Sequence, residues 1–301
     1  MLTMEYHRPV LLFESVEGLN IKPNGVYIDV TFGGGGHSRE ILKRLDENGK
    51  LIAFDQDTDA KQNTIDDPRF LLIIGNFRHI KRFLKFHGYT QVDGILGDFG
   101  VSSHQFDISE RGFSTRFDSK LDMRMDQRSE FSAFDLINTY SENDLKEILF
   151  KYGELRSAPG MARLIVEERQ KTPIYSTQDL KKVLGRFIPR HKENKILAQV
   201  YQALRIEVNQ ELEALKDLLI QSNELLKPGG RLSMISYHSL EDRLVKRFMR
   251  NGLFEGEPEK DVFGKFEVPF KPVGKFVIPS DEEIKQNNRA RSAKLRIAEK
   301  L

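Results

Sequence analysis

The sequence predicts an α/β protein, in which a Rossmann-like doubly wound parallel sheet is interrupted by a helical insertion. Short apolar runs rich in β-branched and aromatic residues alternate with helical patterns from residue 26 to about residue 97. From about residue 107 the strand signals disappear, and helical periodicity dominates to about residue 225. The stop at Pro228–Gly230 and the apolar run 231–236 then restore the α/β pattern, so one sheet is expected to resume after the insertion.

The first strand and the first helix of this pattern are joined by four consecutive glycines, Gly33 to Gly36. The strand is expected at 26–30 and the helix at about 38–47, where Ser38 can act as the N-cap. Glycine lets the backbone approach a ligand at positions where a Cβ would clash. In α/β proteins this order of elements places a nucleotide-like ligand at the carboxyl edge of the sheet.

The other elements follow in chain order. Further strands are expected at 51–55, 70–74, 92–97 and 231–236, a helix at about 79–87, and a last edge strand at 292–298. Helices within 132–225 are expected to break near Gly153, Gly160, Pro173, Gly185 and Pro189, and 255–280 is typical of a long loop or hairpin. The predicted domains are a sheet domain, 1–106 with 206–301, and a helical insertion, 107–205.

Composition restricts the classes of function. Of 301 residues, 39% are hydrophobic and 31% are charged, which is usual for a soluble globular protein. The lack of cysteine excludes disulfides, thiolate catalysis and cysteine-ligated metal, and the scattered His and Asp residues predict no metal site. No apolar run is long enough to cross a bilayer and the N-terminus has no signal core, so we expect a cytoplasmic protein with no membrane partner.

The charge of this chain, +2 overall, is unevenly distributed. Lys181–Lys195 carries six cations against Glu193, and Lys285–Leu301 carries six against Glu299. Both stretches could bind phosphates. The candidate contacts are Lys181, Lys182, Arg186, Arg190, Arg289 and Arg291. Ordinary solvated charge is the alternative interpretation of each stretch.

The residues around the glycines leave two nucleotide ligands open. A dinucleotide fingerprint needs a third glycine where this chain has Ser38, and no phosphate-loop lysine follows the glycines. Asp55 closes the second strand about 20 residues further on, where a carboxylate can accept hydrogen bonds from both ribose hydroxyls. Because NAD and S-adenosylmethionine share this ribose, Asp55 alone does not choose between them.

Later segments favour S-adenosylmethionine. The passage from a helix through Lys227–Gly230 into a strand resembles the entry to the fifth strand of class I S-adenosylmethionine-dependent methyltransferases. Asp98, at the end of the fourth strand, lies where those enzymes build the methyl-transfer site. Asp98–Gly100 also spells the metal-binding motif of protein kinases, but no kinase catalytic loop or strand lysine accompanies it.

Several blocks together resemble the bacterial ribosomal RNA small subunit methyltransferase H family, over nearly the whole chain. They are Tyr6–Leu12, Gly33–Ser38, Asp93–Ser103, Arg111–Ser114, Leu121–Asp126, Gln202–Ile206, His238–Arg243 and Asn288–Ala293. The resemblance implies transfer of a methyl group from S-adenosylmethionine to N4 of a cytidine in the decoding centre of 16S rRNA, at the P site of the small (30S) ribosomal subunit. It is also compatible with a homodimer.

The same resemblance implies the cofactor-binding residues, which are Gly35, Gly36, His37, Asp55, Phe77, Asp98 and Gln105. Phe77 would lie beside the adenine. The chain departs from the family at Phe99 and His104, where leucine and proline are usual, and the change at His104 bears on the loop that positions Gln105. The segment Asn194–Gln199 also lacks the usual His-Pro-Ala-Thr run.

Methylation of cytosine N4 needs an acceptor for one amine proton, because the nitrogen lone pair is conjugated into the ring. The candidates are Asp98 and the acidic-loop residues Asp118, Asp122 and Asp126, although Asp122 to Asp126 could instead form a structural Asp–Arg network. His238, after the fifth strand, could orient the base or contact phosphate. Alternatively, His238–Ser239 could have a helix-capping or turn role, since Ser239 with Asp242 resembles a capping box. We therefore take Asp98, Asp122 and His238 as the candidate catalytic residues.

RNA recognition is expected in the insertion, because the sheet edge is occupied by the cofactor site. His7 and Arg8 could also reach RNA, and an unstacked base needs an aromatic wall such as Phe99, Phe113 or Tyr237. Three rival functions remain at this point. They are a methyltransferase of the same fold acting on a protein or small molecule, a ribosome-assembly factor that binds the cofactor without turnover, and a nicotinamide oxidoreductase.

Overall fold

The computed structural model describes residues 9–258 and 267–301. The chain forms two compact units, one from the residues up to Gly100 together with Leu212–Leu301, and a second from Val101–Glu211. The predicted insertion, 107–205, falls inside the second unit. His7, Arg8, the start of the Tyr6–Leu12 block and part of the predicted loop 255–280 lie outside the described residues.

The first unit contains a seven-stranded sheet with the order β3-β2-β1-β4-β5-β7-β6. Its strands are β1 (Val26–Asp29), β2 (Lys50–Asp55), β3 (Phe70–Ile74), β4 (Val92–Asp98), β5 (Leu226–Ser236), β6 (Phe270–Pro272) and β7 (Lys294–Lys300). Strands β1 to β5 pair in parallel, whereas β7 is antiparallel to both β5 and β6. The predicted parallel sheet is therefore confirmed, with an antiparallel pair added at one side.

The described residues form α-helices in both units. They are α1 (Leu12–Gly18), α2 (Gly36–Leu42), α3 (Ile80–Phe86), α4 (Ser103–Asp107), α5 (Ala133–Thr139), α6 (Glu142–Lys151), α7 (Ala158–Arg169), α8 (Thr177–Leu184), α9 (Glu193–Asn209), α10 (Glu211–Leu225), α11 (Ser239–Asn251) and α12 (Asp281–Gln286). Within the described ranges, no helix has the length and apolar character needed to span a membrane.

Helices cover both faces of the sheet in the first unit. On one face, Val16 of α1 and Ile41 of α2 pack in a cluster with Tyr27 of β1. On the other face, helices α3, α10 and α11 contribute to a larger cluster that includes Ile28 of β1 and Ile95 of β4. β1 and β4 are buried on both sides, as expected for central parallel strands.

The helix α2 is shorter than predicted and is not capped by Ser38. It begins after Gly35, its N-cap, and ends at Leu42. Ser38 is buried inside the helix, where its hydroxyl donates a hydrogen bond of 2.7 Å to Asp29 Oδ2. The local preference of serine for a cap is overridden here by a tertiary partner on β1.

The start of β5 also differs from the prediction. The preceding helix ends at Leu225 rather than at Pro228, and the strand begins at Leu226. Leu226 pairs with Val92, and the register then shifts so that Arg231 pairs with Gly94. The Pro-Gly-Gly segment is therefore an irregularity within the strand, because pairing with β4 holds the chain extended before it.

The last strand is not an edge strand. β7 lies between β5 and β6 and pairs with both, so the short strand β6 forms that edge of the sheet. β6 falls within the predicted loop or hairpin 255–280, and Val277 adds an isolated bridge to Leu295 of β7. A run of three residues with prolines nearby gave no strand signal that could reveal the additional pairing.

The second unit has its own hydrophobic core, formed by helices α5 to α9 with buried residues such as Leu136, Ile165 and Leu204. Gly160 does not break a helix, since it lies inside α7 beside a proline in the first turn. A Cβ built on Gly160 would come within 2.6 Å of the Phe187 ring. This glycine therefore makes room for an aromatic side chain, and the predicted break there is wrong.

Two helix starts in the second unit provide a matched test of capping. Ser176 accepts a hydrogen bond from Asp179 N at the start of α8, whereas Ser157 at the start of α7 makes no side-chain cap bond. We expect Ser176→Ala to lower the free energy of unfolding by about 1 kcal/mol, and Ser157→Ala to lower it much less. Urea unfolding followed by circular dichroism measures both. Equal losses in the two variants would contradict this account of α8.

Candidate active site at the carboxyl edge of the sheet

The residues with site chemistry in the first unit follow the carboxyl ends of the parallel strands. Asp29 ends β1, Asp55 ends β2, Asp98 ends β4, and Tyr237 follows β5 directly. Parallel strands joined by right-handed crossovers bring these ends to one edge of the sheet. The structure thus brings Asp55 and Asp98 to the same edge, as their positions in the sequence predict.

The glycine loop after β1 is closely packed. Gly35 has φ +75°, a left-handed conformation that favours glycine, and a Cβ there would lie 2.8 Å from the Phe32 ring. A Cβ on Gly36 would lie 2.1 Å from Pro9 Cγ. Side chains at these two positions would displace the loop, so the sequence needs glycine at both.

Asp55 ties the glycine loop to β2. Its Oδ2 accepts a 2.8 Å hydrogen bond from Gly33 N, and its Oδ1 accepts a 2.9 Å bond from Asp57 N. Burial raises the pKa of Asp55 to about 6, although these backbone bonds oppose the shift. Each carboxylate oxygen has a second lone pair, so both can also accept a hydroxyl hydrogen from a vicinal diol.

Asp98 is held from two sides. Its backbone N–H donates to Thr31 Oγ1 at 2.7 Å, and its Oδ1 accepts the hydroxyl hydrogen of Tyr237 at 2.8 Å. Burial raises the pKa of Asp98 to about 6, and the hydrogen bond from Tyr237 acts in the opposite direction. A carboxylate with this pKa is charged at neutral pH and can accept a proton.

His37 contributes its ring as well as its backbone to this edge. Nε2 lies 3.2 Å from the carbonyl oxygen of Val10 and must donate to it, which leaves Nδ1 4.0 Å from Asp98 Oδ2. Burial lowers the pKa of His37, so the ring is neutral at neutral pH. The ring therefore fills the space beside Asp98 without forming a charged pair with it.

Sequence reasoning missed Asp29 and Thr31. Asp29 is fully buried, and its two oxygens accept hydrogen bonds from Ser38 Oγ and Thr31 N. Burial raises its pKa to about 6. The signal that could have revealed Asp29 is its place at the end of an otherwise apolar strand. Burying a carboxylate there costs free energy unless hydrogen-bond partners compensate for it.

His238 is the N-cap of α11, so the helix-capping role predicted for His238–Ser239 is confirmed at His238, whereas the capping box predicted from Ser239 and Asp242 is wrong. His238 Nδ1 accepts from Glu241 N, while the buried Glu241 carboxylate accepts from the backbone of Tyr237 and His238. Nδ1 is therefore unprotonated and Nε2 carries the ring hydrogen. Asp242 instead forms an ion pair of 2.7 Å with Arg296, a residue of β7.

A polar cavity of about 280 Å³ lies beside this cap. It is lined by Ser236, Tyr237, His238, Ser239, Asp242, Ser292 and Lys294. Tyr237 both lines the cavity and donates to Asp98, and burial raises its pKa well above the usual value. A planar group held against Tyr237 would therefore lie near the carboxylate of Asp98.

Phe77 follows β3 in a short 3-10 turn, Phe77–His79, that begins after Asn76. Asn76 caps this turn by accepting from Arg78 N at 2.9 Å. The Phe77 ring is partly exposed, and its centroid lies 6.0 Å from that of Phe99. Its position after β3 is the one that the family resemblance assigns to an adenine contact.

Two predicted site residues, Gln105 and Asp122, belong to the second unit. Gln105 is buried at the start of α4 and forms a capping box with Ser102, so the helix is capped although His104 replaces the usual proline. Asp122 pairs with Arg124 through both oxygens, at 2.6 and 2.9 Å. Asp126 pairs in the same way with Arg128.

The predicted phosphate contacts differ in how they are paired. Lys181 pairs with Glu193 at 2.6 Å, and Lys182 lies 3.6 Å from Asp179. Arg186 and Arg190 are exposed, and the Arg186 guanidinium lies over the Phe187 ring. In the C-terminal stretch, Arg291 is exposed and Arg289 is partly buried.

The strand order with an antiparallel seventh strand, together with the glycine loop and the acids that end β2 and β4, defines a class I S-adenosylmethionine-dependent methyltransferase. Asp55 fits the cofactor because both of its oxygens can still accept the ribose hydroxyls. S-adenosylmethionine is therefore the cofactor of this site. When bound, it supplies an electrophilic methyl group on a sulfonium centre.

Residues 4–301 match the model of the MraW methylase family, and the chain belongs to that family. It is 65% identical over 299 residues to ribosomal RNA small subunit methyltransferase H of Flavobacterium johnsoniae, covering 99% of each chain. It is 64% identical over 301 residues to the protein of the same name in Christiangramia forsetii, covering 100% of each. A solved putative rRNA methylase from Clostridium thermocellum is similar over 100% of both chains, with 13% identity and a TM-score of 0.45.

The pKa of Asp55 predicts a pH-dependent affinity for the cofactor. The carboxylate of Asp55 ionises as the pH rises through about 6. Because a charged acceptor binds hydroxyls and a cationic ligand better than a neutral one, the affinity for S-adenosylmethionine should rise between pH 5 and pH 7. Asp55→Asn should weaken binding at pH 7.5 by about tenfold to a hundredfold and flatten this rise. Isothermal titration calorimetry with S-adenosylmethionine measures both effects.

Asp46→Asn is the matched control for this substitution. Asp46 precedes β2 and, like Asp55, accepts two backbone N–H groups, from Asn48 and Gly49. It lies at the opposite end of the strand and should leave the affinity and its pH profile unchanged. The assignment of Asp55 fails if both variants bind the cofactor as the wild-type protein does.

Proposed function

We propose that this methyltransferase methylates N4 of a cytidine in the decoding centre of 16S rRNA, at the P site of the assembled small ribosomal subunit. The observation that carries the proposal is the identity of 64–65%, over essentially whole chains, to proteins named ribosomal RNA small subunit methyltransferase H. The name specifies small-subunit rRNA methylation. The N4 position and the assembled substrate rest on the family resemblance and on the chemistry of the site.

The chemistry of the site supports an exocyclic amine as the acceptor. N4 of cytosine becomes nucleophilic only as it loses a proton, so a basic group must lie near it while its new bond to the methyl carbon forms. Asp98 can accept that proton, because it is ionised above pH 6 and Tyr237 fixes its orientation. S-adenosylmethionine, when bound, would supply the methyl group, and its sulfur would keep the electron pair of the broken carbon–sulfur bond as the leaving group.

Asp122 is a weaker candidate for this acceptor. Although burial alone would raise its pKa, hydrogen bonds to Arg124 bring the pKa of Asp122 below its usual value. Both of its oxygens already accept from one guanidinium. We therefore assign Asp122 a structural role in its loop and Asp98 the role of acceptor.

His238 suits a role in binding the target base. Its Nε2–H is buried and lies 3.1 Å from Glu241 Oε1, but within the described part of the chain it forms no hydrogen bond. His238 lines the same cavity as Tyr237, so a base placed in contact with the Tyr237 ring could receive a hydrogen bond from Nε2. The base must leave its stack to reach this position, and an aromatic wall lowers the cost of that step.

The insertion supplies the RNA contacts in this proposal. Arg186 and Arg190 are its best candidates, because Lys181 and Lys182 already have carboxylate partners. Arg289 and Arg291 add cations from the first unit. Each cation that binds a phosphate releases counterions, so binding should weaken as salt rises.

The proposal is tested by incubating the protein with labelled S-adenosylmethionine and unmodified 30S subunits, free 16S rRNA or no RNA. After digestion, we expect labelled N4-methylcytidine from the 30S sample. If the label appears in another nucleoside or in protein, the proposed N4-cytidine specificity is wrong and the protein is a methyltransferase with a different substrate. Cofactor binding without any product would support a ribosome-assembly factor, and NADH binding an oxidoreductase.

Asp98→Asn should lower the turnover number on 30S subunits by about 10²- to 10⁴-fold, because the amide cannot accept the amine proton. Cofactor affinity, measured separately by calorimetry, should change much less than turnover. Asp122→Asn is the control and should retain turnover if the protein remains folded by circular dichroism. Full turnover in Asp98→Asn would exclude Asp98 as the acceptor.

A further inference from the structure

The helix α11 has a strongly basic face that the sequence predictions did not include. Arg243, Lys246, Arg247 and Arg250 follow one another at the spacing i, i+3, i+4 and i+7, so they lie on one side of the helix. They line a groove of about 340 Å³ together with Asn251 and Glu257. Among the residues that the structure describes, four cations and the single carboxylate of Glu257 therefore line this groove.

The hydrophobic residues of α11 lie on its opposite side. Val245, Phe248 and Met249 are buried in the core beside the sheet, which leaves the basic face toward solvent. Lys246 and Arg250 are exposed, and neither has a carboxylate partner among residues 9–258 and 267–301. Their charges are not needed to hold the described part of the fold together.

One wall of the groove is held in place. Arg247 is partly buried and donates from Nη2 to the carbonyl oxygen of Gly256 at 3.1 Å. This bond fixes the guanidinium while leaving its other N–H groups able to donate. The acids of the first turn, Glu241 and Asp242, are engaged with His238 and Arg296 and do not neutralise the face.

The distribution of the cations favours an extended polyanion over a small anion. From Arg243 to Arg250 the helix advances about 10 Å, with cations on successive turns about 5.4 Å apart. A single phosphate could contact one turn only. A nucleic acid strand presents phosphates in series, and arginine and lysine are the side chains that bind them.

The location of the face identifies which part of a nucleic acid it would meet. α11 begins at His238, next to the Tyr237 that binds Asp98, and runs away from that point. We propose that the basic face of α11 binds the sugar-phosphate backbone of the substrate RNA beside the target nucleotide. This inference rests on the proposed function for the identity of the RNA.

Lys246→Glu combined with Arg250→Glu tests the proposal. We expect 16S rRNA and 30S binding at 0.1 M salt to weaken at least tenfold. The slope of log affinity against log salt concentration should fall by about 1.4–1.8, since two phosphate contacts are lost. Affinity for S-adenosylmethionine should stay unchanged, which also shows that the first unit is folded.

The matched control is Arg82→Glu combined with Lys85→Glu on α3. These two residues are also exposed, lie one turn apart, and have no carboxylate partner in the described ranges, so the change in net charge is the same. Equal affinities and salt slopes in the two double variants would overturn the assignment of α11. A conservative variant, Lys246→Arg with Arg250→Lys, should retain wild-type binding.

Failure of this inference can be distinguished from failure of the proposed function. RNA binding is measured without turnover, so it reports on α11 even if the wild-type protein yields no N4-methylcytidine. If the α11 variant alone loses RNA binding, but the wild-type protein makes a product other than N4-methylcytidine, the inference about the basic face holds and the proposed specificity is wrong. If the wild-type protein makes N4-methylcytidine, but the two double variants bind RNA equally well, the proposed function holds and the inference about the basic face is wrong.

Discussion

The hydrogen-bonded link from Asp29 through Thr31 to the end of β4 is the constraint on which the rest of the site depends. Asp29 accepts from Thr31 N and Ser38 Oγ, and Thr31 Oγ1 in turn accepts from Asp98 N. β1 and β4 are adjacent parallel strands, so this link joins their ends at one level. The place of Asp98 beside the glycine loop is therefore set by strand pairing, which is more rigid than a loop.

The same edge concentrates three carboxylates, Asp29, Asp55 and Asp98, whose pKa values burial raises to about 6. Because the folded protein binds these protons more tightly than the unfolded chain, their effect on stability is most favourable below pH 4 and is lost as pH rises through 6. Each unit of raised pKa corresponds to about 1.4 kcal/mol. A cationic ligand at this edge would offset part of that cost, so cofactor binding and folding are expected to be coupled at neutral pH.

Much of the sheet and part of the site could be predicted because they depend on local patterns. The strand ends at Asp55 and Asp98 were found because apolar runs and the acids after them can be seen in the sequence. Ser38 was misassigned, since the rule that places serine at a helix start is local while its partner lies on β1. A capping role at His238 was correctly predicted, but its capping box was placed one residue too late, at Ser239 and Asp242, because the sequence does not show that Glu241 is the acid that becomes buried. Sequence patterns report periodicity well, but they do not show which of two nearby polar groups becomes buried.

The cap of α11 connects the position of Asp98 with the basic face of α11, two features that lie far apart in the sequence. The Glu241 carboxylate accepts from the backbone N–H of Tyr237, whose hydroxyl donates to Asp98, and it also starts the helix that carries the basic face. A change in this carboxylate would therefore alter the position of Asp98 and the direction of α11 together. Since the helix is amphipathic, its direction decides where Lys246 and Arg250 lie relative to Asp98. Under the roles proposed for Asp98 and for α11, the buried Glu241 would therefore link the proton acceptor to the RNA-binding face of the helix.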